Sequence, residues 1–230
     1  MISNTSGNKA QAVLKNTISL PDQKKVWNKK HSADDHESLR FSPSHLANLA
    51  EPYFPRKAKI LELGCGVGRD AFYLEKSGHM ITSTDSSEIA INKNKNSFSK
   101  SKVKFKVLDI GEKLPYKSGM FDVVYANLSL HYFLDSKTRE IFKNIAKILK
   151  TDGIFAFSCK SHDEYRTNGA QRVEKNVYFD KNKHAIHLFS TEYVNELMND
   201  FFDIIHLDDV DENYAGRISG IVRCIARKKI

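Results

Sequence analysis

The sequence predicts an α/β fold, with helices packed on both faces of a doubly wound, largely parallel sheet, and three observations support it. A short apolar run, Ile60, Leu61 and Leu63, is typical of a strand buried on both faces. A glycine-rich turn and a helical pattern follow it directly. Two later runs end in an acid, at Asp85 and Asp109. Because the carboxyl ends of parallel strands meet at one edge of a sheet, the glycine turn and both acids are expected in one crevice.

The composition is that of a single globular domain. At 230 residues the chain is long enough for one substantial core, and we divide it into a flexible arm over 1–20 and one domain over 21–230. We expect no membrane helix, because no apolar run reaches about 18 residues, and no signal peptide. Cys65, Cys159 and Cys224 are odd in number and lie in or beside predicted strands. We therefore expect buried thiols in a reducing compartment, the cytoplasm.

The formal net charge of +8 raises the question of a nucleic-acid partner. The densest basic stretch runs from Lys93 to Lys106 without an acid. Within it only Phe98 and Phe105 could stack on bases. We interpret the stretch as a solvated outer face and expect no nucleic acid as partner, a phosphate-binding surface being the alternative.

Gly64, Gly66 and Gly68 alternate in the turn, where glycine lets the backbone approach a ligand. A dinucleotide fingerprint would need a third glycine where this chain has Arg69. Glu62 would also lie beside a pyrophosphate, whereas an acid suits the amino group of an amino-acid-like ligand. A nicotinamide-dependent oxidoreductase is therefore the less favoured alternative.

The stretch from Leu61 to Asp70, which reads LELGCGVGRD, resembles motif I of the class I S-adenosylmethionine (SAM)-dependent methyltransferases. The resemblance extends from about residue 24 to the end of the chain. It implies a Rossmann-like sheet of seven strands, mostly parallel, with an antiparallel last strand. It also implies SAM as cofactor and S-adenosylhomocysteine as product.

The resemblance assigns parts of the cofactor to individual residues. Asp85, at the tip of the second strand, is placed to hold the ribose hydroxyl pair, the alternative being a helix cap near Glu88. The resemblance gives Asp109 the adenine amino group and places Ile110 on the ring. The full set of expected cofactor-binding residues is Glu62, Gly64, Cys65, Gly66, Asp85, Ser86, Asp109, Ile110 and Asn127.

The acceptor site is expected after the fourth strand, which ends at Asn127. His131 is the only reasonable general base there, and a structural role in packing or capping the next helix is its alternative. No Asp/Asn-Pro-Pro-Tyr sequence marks the methylation of an exocyclic amine, and no histidine has metal-ligand spacing, so we expect no metal. We predict methyl transfer to a small molecule by a monomer or homodimer. The alternatives are an RNA-binding or RNA-modifying methyltransferase-like protein and an inactive SAM-binding module.

Two stretches are not needed for the sheet and are predicted to cover the site. Trp27 to His31 resembles a segment that closes over the cofactor in small methyltransferases, though Trp27 could simply pack the N-terminal helix onto the domain. The polar segment 160–190, with Tyr165, Arg166 and Tyr178, resembles the insertion of small-molecule methyltransferases of the tellurite-resistance and thiopurine type. We expect a lid there with a hairpin around 180–183.

The remaining elements follow from apolar periodicity and turn residues. The predicted helices are 69–77, 136–150 and one near 191–200; the predicted strands are 80–86, an edge strand over 103–110, 121–127, 154–159 after a turn at 151–153, and two near 203–208 and 219–227.

Overall fold

The computed structural model describes residues 23–33, 40–162, 167–180, 184–214 and 217–230. The arm predicted over 1–20 lies outside these residues, as do Tyr165 and Arg166 of the predicted lid.

A seven-stranded sheet forms the centre of the molecule. Its strands lie in the order β3-β2-β1-β4-β5-β10-β9, and β10 runs antiparallel to both of its neighbours, whereas β1 to β5 are mutually parallel. The prediction of a mostly parallel sheet with an antiparallel last strand is confirmed. The strands are β1 Lys59–Leu63, β2 Met80–Asp85, β3 Lys104–Val107, β4 Phe121–Asn127, β5 Leu149–His162, β9 Phe202–Tyr214 and β10 Arg217–Lys228.

Helices cover both faces of this sheet. Side chains alternate across a strand, so Leu61 and Leu63 join one apolar cluster while Ile60 joins the other. The three cysteines are buried as free thiols, as predicted. The described helices are α1 Gln23–Ser32, α2 His45–Ala50, α3 Arg69–Lys76, α4 Glu88–Ser97, α5 Asp135–Ile148 and α6 Thr191–Met198.

Two predicted boundaries are wrong. The edge strand β3 is shorter than the predicted 103–110, so Asp109 follows the strand rather than ending it. The turn predicted at 151–153 lies inside β5, where Asp152 has a φ of 60° and the register with β4 shifts. An irregularity of this kind accommodates extra residues without ending the strand.

The segment 160–190, predicted as the part least like a sheet, contains a second sheet. Its three short antiparallel strands are β6 Gln171–Glu174, β7 Val177–Phe179 and β8 Ala185–His187. The predicted hairpin joins β7 to β8, although residues 181–183 of its turn lie outside the described part. We call β6 to β8 the small sheet.

Candidate active site

The glycine turn follows β1 at the carboxyl edge of the main sheet, between β2 and β4. The backbone N–H groups of Gly64 and Cys65 both donate to the carbonyl oxygen of Thr84, at 2.8 and 2.9 Å. Gly64 has a φ of +78°, and a Cβ added there would lie 2.3 Å from the Cβ of Ser129. Only glycine fits this position, because a side chain would meet both a strained backbone and a packed neighbour.

Gly66 links the turn to the end of β2. Its N–H donates to Oδ2 of Asp85 across 2.9 Å. Among the residues that the structure describes, a Cβ added at Gly66 would have only Cε1 of His31 within 4 Å, at 3.7 Å. The backbone of Gly66 therefore borders an open space whose far side is formed by α1.

Asp85 is buried, with 6% of its surface exposed, at the tip of β2. Its Oδ1 accepts from the backbone N–H of Ser87 across 2.8 Å, while Ser86 lies between them. The cap of α4 is the hydroxyl of Ser87, which accepts from the N–H of Ala90, so the alternative role of Asp85 as cap is wrong. Burial raises the pKa of Asp85, while the two backbone hydrogen bonds and nearby His31 act to lower it. Each carboxylate oxygen keeps capacity for a second hydrogen bond.

Glu62 points beneath the glycine turn, with 2% of its surface exposed. Its Oε2 accepts a hydrogen bond from the Ser83 hydroxyl across 2.7 Å. Burial, followed by the nearby charge of Asp70, raises the pKa of Glu62 to about 8. At neutral pH this carboxyl is therefore mostly protonated in the ligand-free protein.

Asp70, at the start of α3, organises a buried hydrogen-bond network that the sequence did not suggest. Its Oδ2 accepts from the hydroxyls of Tyr125 and Ser44, each at 2.8 Å, and its Oδ1 accepts from the backbone N–H of Ser44. Ser44 is also the cap of α2. The network joins α2, α3 and β4 directly below Glu62.

Asn94 and Arg40 support the turn from the α4 side, and sequence reasoning missed both. The Asn94 amide donates to the carbonyl oxygen of Gly66, and its Oδ1 accepts from Nη1 of Arg40, each at 2.8 Å. The same Nη1 donates to the carbonyl oxygen of Val67 at 2.9 Å. The sequence could have indicated Asn94, because it lies at helical spacing from Ala90 and Phe98, on the buried face of α4. No pattern in the sequence indicates Arg40.

The predicted adenine end of the crevice lies just past β3. Oδ1 of Asp109 accepts from the N–H of Gly111 across 2.8 Å, which fixes this loop. Ile110 is buried with Leu108 in the core. A Cβ on Gly111 would come within 3.1 Å of the Phe133 ring, so the loop packs closely against the chain that follows β4.

Asn127 ends β4 beside the glycine turn. Its Oδ1 accepts from the hydroxyl of Ser158 on β5, at 2.6 Å. Two residues later, the Ser129 hydroxyl donates to the carbonyl oxygen of Leu63 across 2.6 Å. His131 is fully buried, with its ring centre 4.2 Å from that of Tyr132.

Helix α1 lies across the open side of the glycine turn. Oδ1 of Asn28 accepts from the Ser87 hydroxyl at 2.8 Å, which attaches the helix to the start of α4. The Trp27 ring packs edge-on against Tyr132, with 4.8 Å between ring centres, and Nζ of Lys30 lies 4.3 Å from the centre of the Trp27 ring. The helix thus connects the chain after β2 with the chain after β4.

The small sheet docks on the segment between β4 and α5. The N–H of His187 donates to the carbonyl oxygen of His131 across 2.9 Å, and Oε2 of Glu174 accepts from the N–H of Asp135 at the start of α5. Burial lowers the pKa of His187 to about 4, so its imidazole is neutral at physiological pH.

The part of the chain that the structure describes contains no group of three His, Cys, Asp or Glu side chains placed to hold a metal ion. Within the same residues, no helix is long and apolar enough to span a membrane.

A comparison with protein families finds one match at this site. The family described as a methyltransferase domain matches residues 60–153, which include the glycine turn, both strand-end acids and Asn127. The match covers less than half of the chain. Among curated proteins, an uncharacterized methyltransferase of Synechocystis is 32% identical over 117 residues, covering 51% of this chain and 52% of the relative. Rabbit glycine N-methyltransferase is 24% identical, covering 53% of this chain and 47% of the relative. The chain spans about half the length, or less, of the curated relatives it matches.

Solved structures share the fold of this chain. The 1,6-didemethyltoxoflavin-N1-methyltransferase of Burkholderia thailandensis, crystallised with its substrate and S-adenosylhomocysteine, aligns with 100% of this chain and 92% of its own at a TM-score of 0.66 and 20% identity. The N-methyltransferase NodS of Bradyrhizobium japonicum, in complex with S-adenosylhomocysteine, aligns with 90% of this chain and 98% of its own at a TM-score of 0.68 and 18% identity. The chain has the class I SAM-dependent methyltransferase fold.

Proposed function

We propose that the protein binds SAM in the crevice at the carboxyl edge of the main sheet and transfers its methyl group to a small-molecule acceptor. The observation that carries the proposal is the hydrogen bond between Gly66 and Asp85. This bond joins the glycine turn to a buried carboxylate whose oxygens can each accept one further hydrogen bond. The space beside them is one that a side chain at Gly66 would begin to fill.

The residues present fit a SAM molecule. A ribose with two hydroxyls suits Asp85, because each carboxylate oxygen can accept one further hydrogen bond. The bare backbone of Gly66 suits a close-lying ligand. The sulfonium and amino groups of SAM are cationic, and the negative charges of Asp70 and Asp85, which help to keep Glu62 protonated in the ligand-free protein, favour a cation at this end of the sheet.

Each predicted cofactor residue has a role in this proposal. Asp85 binds the ribose, with Cys65 and Ser86 shaping the backbone on either side of it. Asp109 accepts from the adenine amino group and Ile110 supports the ring. At the amino-acid end, Glu62, Gly64 and Asn127 surround the methionine moiety.

The cofactor, once bound, supplies an electrophilic methyl group on a sulfonium whose departure leaves a neutral thioether. The contribution of the protein is to align the acceptor and exclude water. His131 is proposed to accept a proton from the acceptor. Because its ring is fully buried, an acceptor reaches it only where Tyr132 and the small sheet separate.

A small acceptor is supported by the two elements that close the crevice. Helix α1 packs Trp27 against Tyr132, and the small sheet is hydrogen-bonded to the neighbouring residue His131. The structurally similar B. thailandensis enzyme is named a 1,6-didemethyltoxoflavin-N1-methyltransferase and was crystallised with 1,6-didemethyltoxoflavin bound. The segment 160–190 and its resemblance to the tellurite-resistance and thiopurine type support the same class. Three buried free thiols support a reducing location such as the cytoplasm.

Two measurements on the purified full chain test the proposal. Calorimetry with S-adenosylhomocysteine should give a saturable 1:1 isotherm, and methyl-labelled SAM should label an acceptor in a panel of small nucleophiles bearing oxygen, nitrogen, sulfur or metalloid atoms. A chain without affinity for the cofactor product would contradict the whole proposal. Binding combined with transfer only to RNA or protein would contradict the small-molecule acceptor.

A further inference from the structure

Phe41 exposes an aromatic ring on the basic side of the molecule. It is 73% exposed, more than any other aromatic side chain of the described residues. Its ring meets Phe98 edge-on, with 6.3 Å between centres, and Phe98 stacks on Phe72 of α3 at 4.7 Å. The exposed ring of Phe41 therefore packs on buried Phe98, which in turn packs on Phe72, and we call this aromatic surface the platform.

Lysines surround this platform although they come from separate elements. Nζ of Lys76, at the end of α3, lies 4.4 Å from the centre of the Phe72 ring. The loop after α4 is attached to the same end of α3, since Glu75 accepts from the Ser101 hydroxyl at 2.6 Å and from the backbone N–H of Lys102. Lys76, Lys100 and Lys102 are exposed, and within the described residues none of the three forms an ion pair.

The surrounding charge has the same sign. Residues 108–230 carry equal numbers of basic and acidic side chains, so the net charge of +8 lies entirely within 1–107. On the neighbouring strand β3, Lys104 and Lys106 are exposed and share one face, about 6.6 Å apart along the strand. The positive potential therefore continues around the β3 edge of the sheet.

We propose that this surface binds single-stranded nucleic acid. We call Phe41, Phe72, Lys76, Lys100 and Lys102 the aromatic–basic patch. Proteins that bind single strands combine lysines, which contact the phosphates, with aromatic rings on which bases stack. Lysines alone would serve any polyanion, so the open ring of Phe41 decides in favour of a ligand with exposed bases.

The patch is separate from the proposed methyl-transfer site. Helices α3 and α4 start at the carboxyl edge of the parallel strands and run towards the opposite edge, so Lys76 and the loop with Lys100 and Lys102 lie away from the crevice. Phe41 follows Arg40, which supports the glycine turn from its buried side, but the Phe41 ring itself faces solvent. The proposal therefore stands or falls independently of SAM binding. The proposal also revises the interpretation of the lysine stretch as a solvated face. Phe41 lies 52 residues before Lys93 in the sequence, so its ring is brought to Phe98 in this stretch only by folding.

The test measures the fluorescence anisotropy of a labelled 12-nucleotide oligouridylate with the full chain at several salt concentrations. The triple variant K76Q/K100Q/K102Q should bind more weakly, with the slope of log affinity against log salt reduced by about 2, since each contact to a single strand contributes about 0.7. The matched control K117Q/K143Q/K147Q removes the same charge from exposed lysines elsewhere and should keep most of the slope.

Phe41→Ala should lower the affinity for the oligonucleotide about tenfold without changing the salt slope, and Phe41→Tyr should restore it. Neither change should alter binding of inorganic polyphosphate, which has no bases. The proposal is overturned if the control triple variant loses as much affinity as the patch variant, if Phe41→Ala binds oligouridylate like the wild type, or if anionic lipid vesicles bind with the same dependence on Phe41. Thermal unfolding and calorimetry with S-adenosylhomocysteine establish that each variant is folded. If Phe41→Ala is not folded, Phe41→Ser replaces it in the test.

Discussion

The side-chain amide of Asn94 donates a hydrogen bond to the carbonyl oxygen of Gly66 across 2.8 Å. Asn94 is fully buried on α4, whereas Gly66 is the residue of the glycine turn that borders the open crevice. Helix α4, which begins beside Asp85, therefore fixes the shape of the glycine turn from the side that faces away from the crevice. Binding residues held in this way need no rearrangement when a ligand arrives.

Asn94→Ala should therefore weaken both the fold and the binding of S-adenosylhomocysteine. The substitution leaves the Gly66 carbonyl and the Arg40 guanidinium without this partner in a buried place, which costs about 1–3 kcal/mol of unfolding free energy. Chemical denaturation and calorimetry measure the two effects. Asn92→Ala, on the exposed face of the same helix, is the control and should change neither quantity. An unchanged affinity in a folded Asn94→Ala protein would contradict the supporting role.

Asp85→Ala should weaken binding of S-adenosylhomocysteine by about 1.5–3 kcal/mol, because a charge-assisted pair of hydrogen bonds to the ribose would be lost. Asp85→Asn should lose less, since the amide keeps one acceptor. Calorimetry separates these outcomes, and Asp200→Ala, in the exposed turn after α6, supplies the control. Equal affinities of wild type and Asp85→Ala would remove the ribose assignment.

Glu62 should make stability depend on pH in a defined direction. Its pKa in the folded protein is about 8, above its ordinary value of 4.5. The stabilising contribution of the protonated form is thus fully present below pH 4.5 and is lost as the pH rises through 8. Glu62→Gln does not titrate, so its unfolding free energy should fall less than that of the wild type between pH 5 and pH 8.5.

Denaturation curves at several pH values test this, with Glu112→Gln as an exposed control that keeps the wild-type profile. Parallel profiles for Glu62→Gln and wild type would show that the carboxyl does not titrate with folding. At pH 8.5, we further expect S-adenosylhomocysteine, whose amino group is cationic, to bind the wild type more tightly than the variant.

Trp27 should report cofactor binding, because it is the only tryptophan of the chain and lies on α1 against Tyr132. Adding S-adenosylhomocysteine beneath α1 should change the intensity or wavelength of the tryptophan emission with the same midpoint as calorimetry. Trp27→Phe should bind without the optical signal. A constant emission at calorimetric saturation would show that α1 does not contact or respond to the ligand.

Replacing residues 167–185 by a short Gly/Ser linker should separate cofactor binding from transfer. The predicted cofactor residues lie on other elements, so affinity for S-adenosylhomocysteine should stay within about tenfold, while methyl transfer to any identified acceptor collapses. Persistent turnover would mean that the small sheet does not shape the acceptor pocket. Loss of cofactor binding in a folded variant would contradict the assignment of cofactor binding and acceptor binding to different elements.

Local patterns were sufficient to predict the parallel part of the sheet. Strand β4 occupies the predicted residues 121–127, and α3 differs from the predicted helix by one residue at its end, because apolar runs and glycine signals are local. Of the small sheet only the hairpin was predicted, from its turn residues, since its strands are three or four residues long and their apolar positions depend on the surface beneath them.

The candidate site was predictable only where its residues follow strands. Asp85 and Asn127 were predicted to lie at one edge because the carboxyl ends of parallel strands share it, and both residues end neighbouring parallel strands of the sheet around β1. Arg40 could not be found, since its partners Val67 and Asn94 lie 27 and 54 residues away and no periodicity marks it. The predicted role of Trp27 depended on resemblance, and its contact with Tyr132 joins segments about 100 residues apart.

The hydrogen bond from the His187 N–H to the carbonyl oxygen of His131 has a consequence for substrate selection. Strand β8, which is proposed to border the acceptor pocket, is hydrogen-bonded to the main chain of His131, the residue proposed to take the proton. An acceptor too large for the pocket would displace β8. Because β8 is hydrogen-bonded to His131, this displacement would move the backbone of His131 and turn its ring away from the reacting atom. Wrong substrates would then be rejected through slower turnover rather than weaker binding, so that kcat instead of KM would discriminate between them.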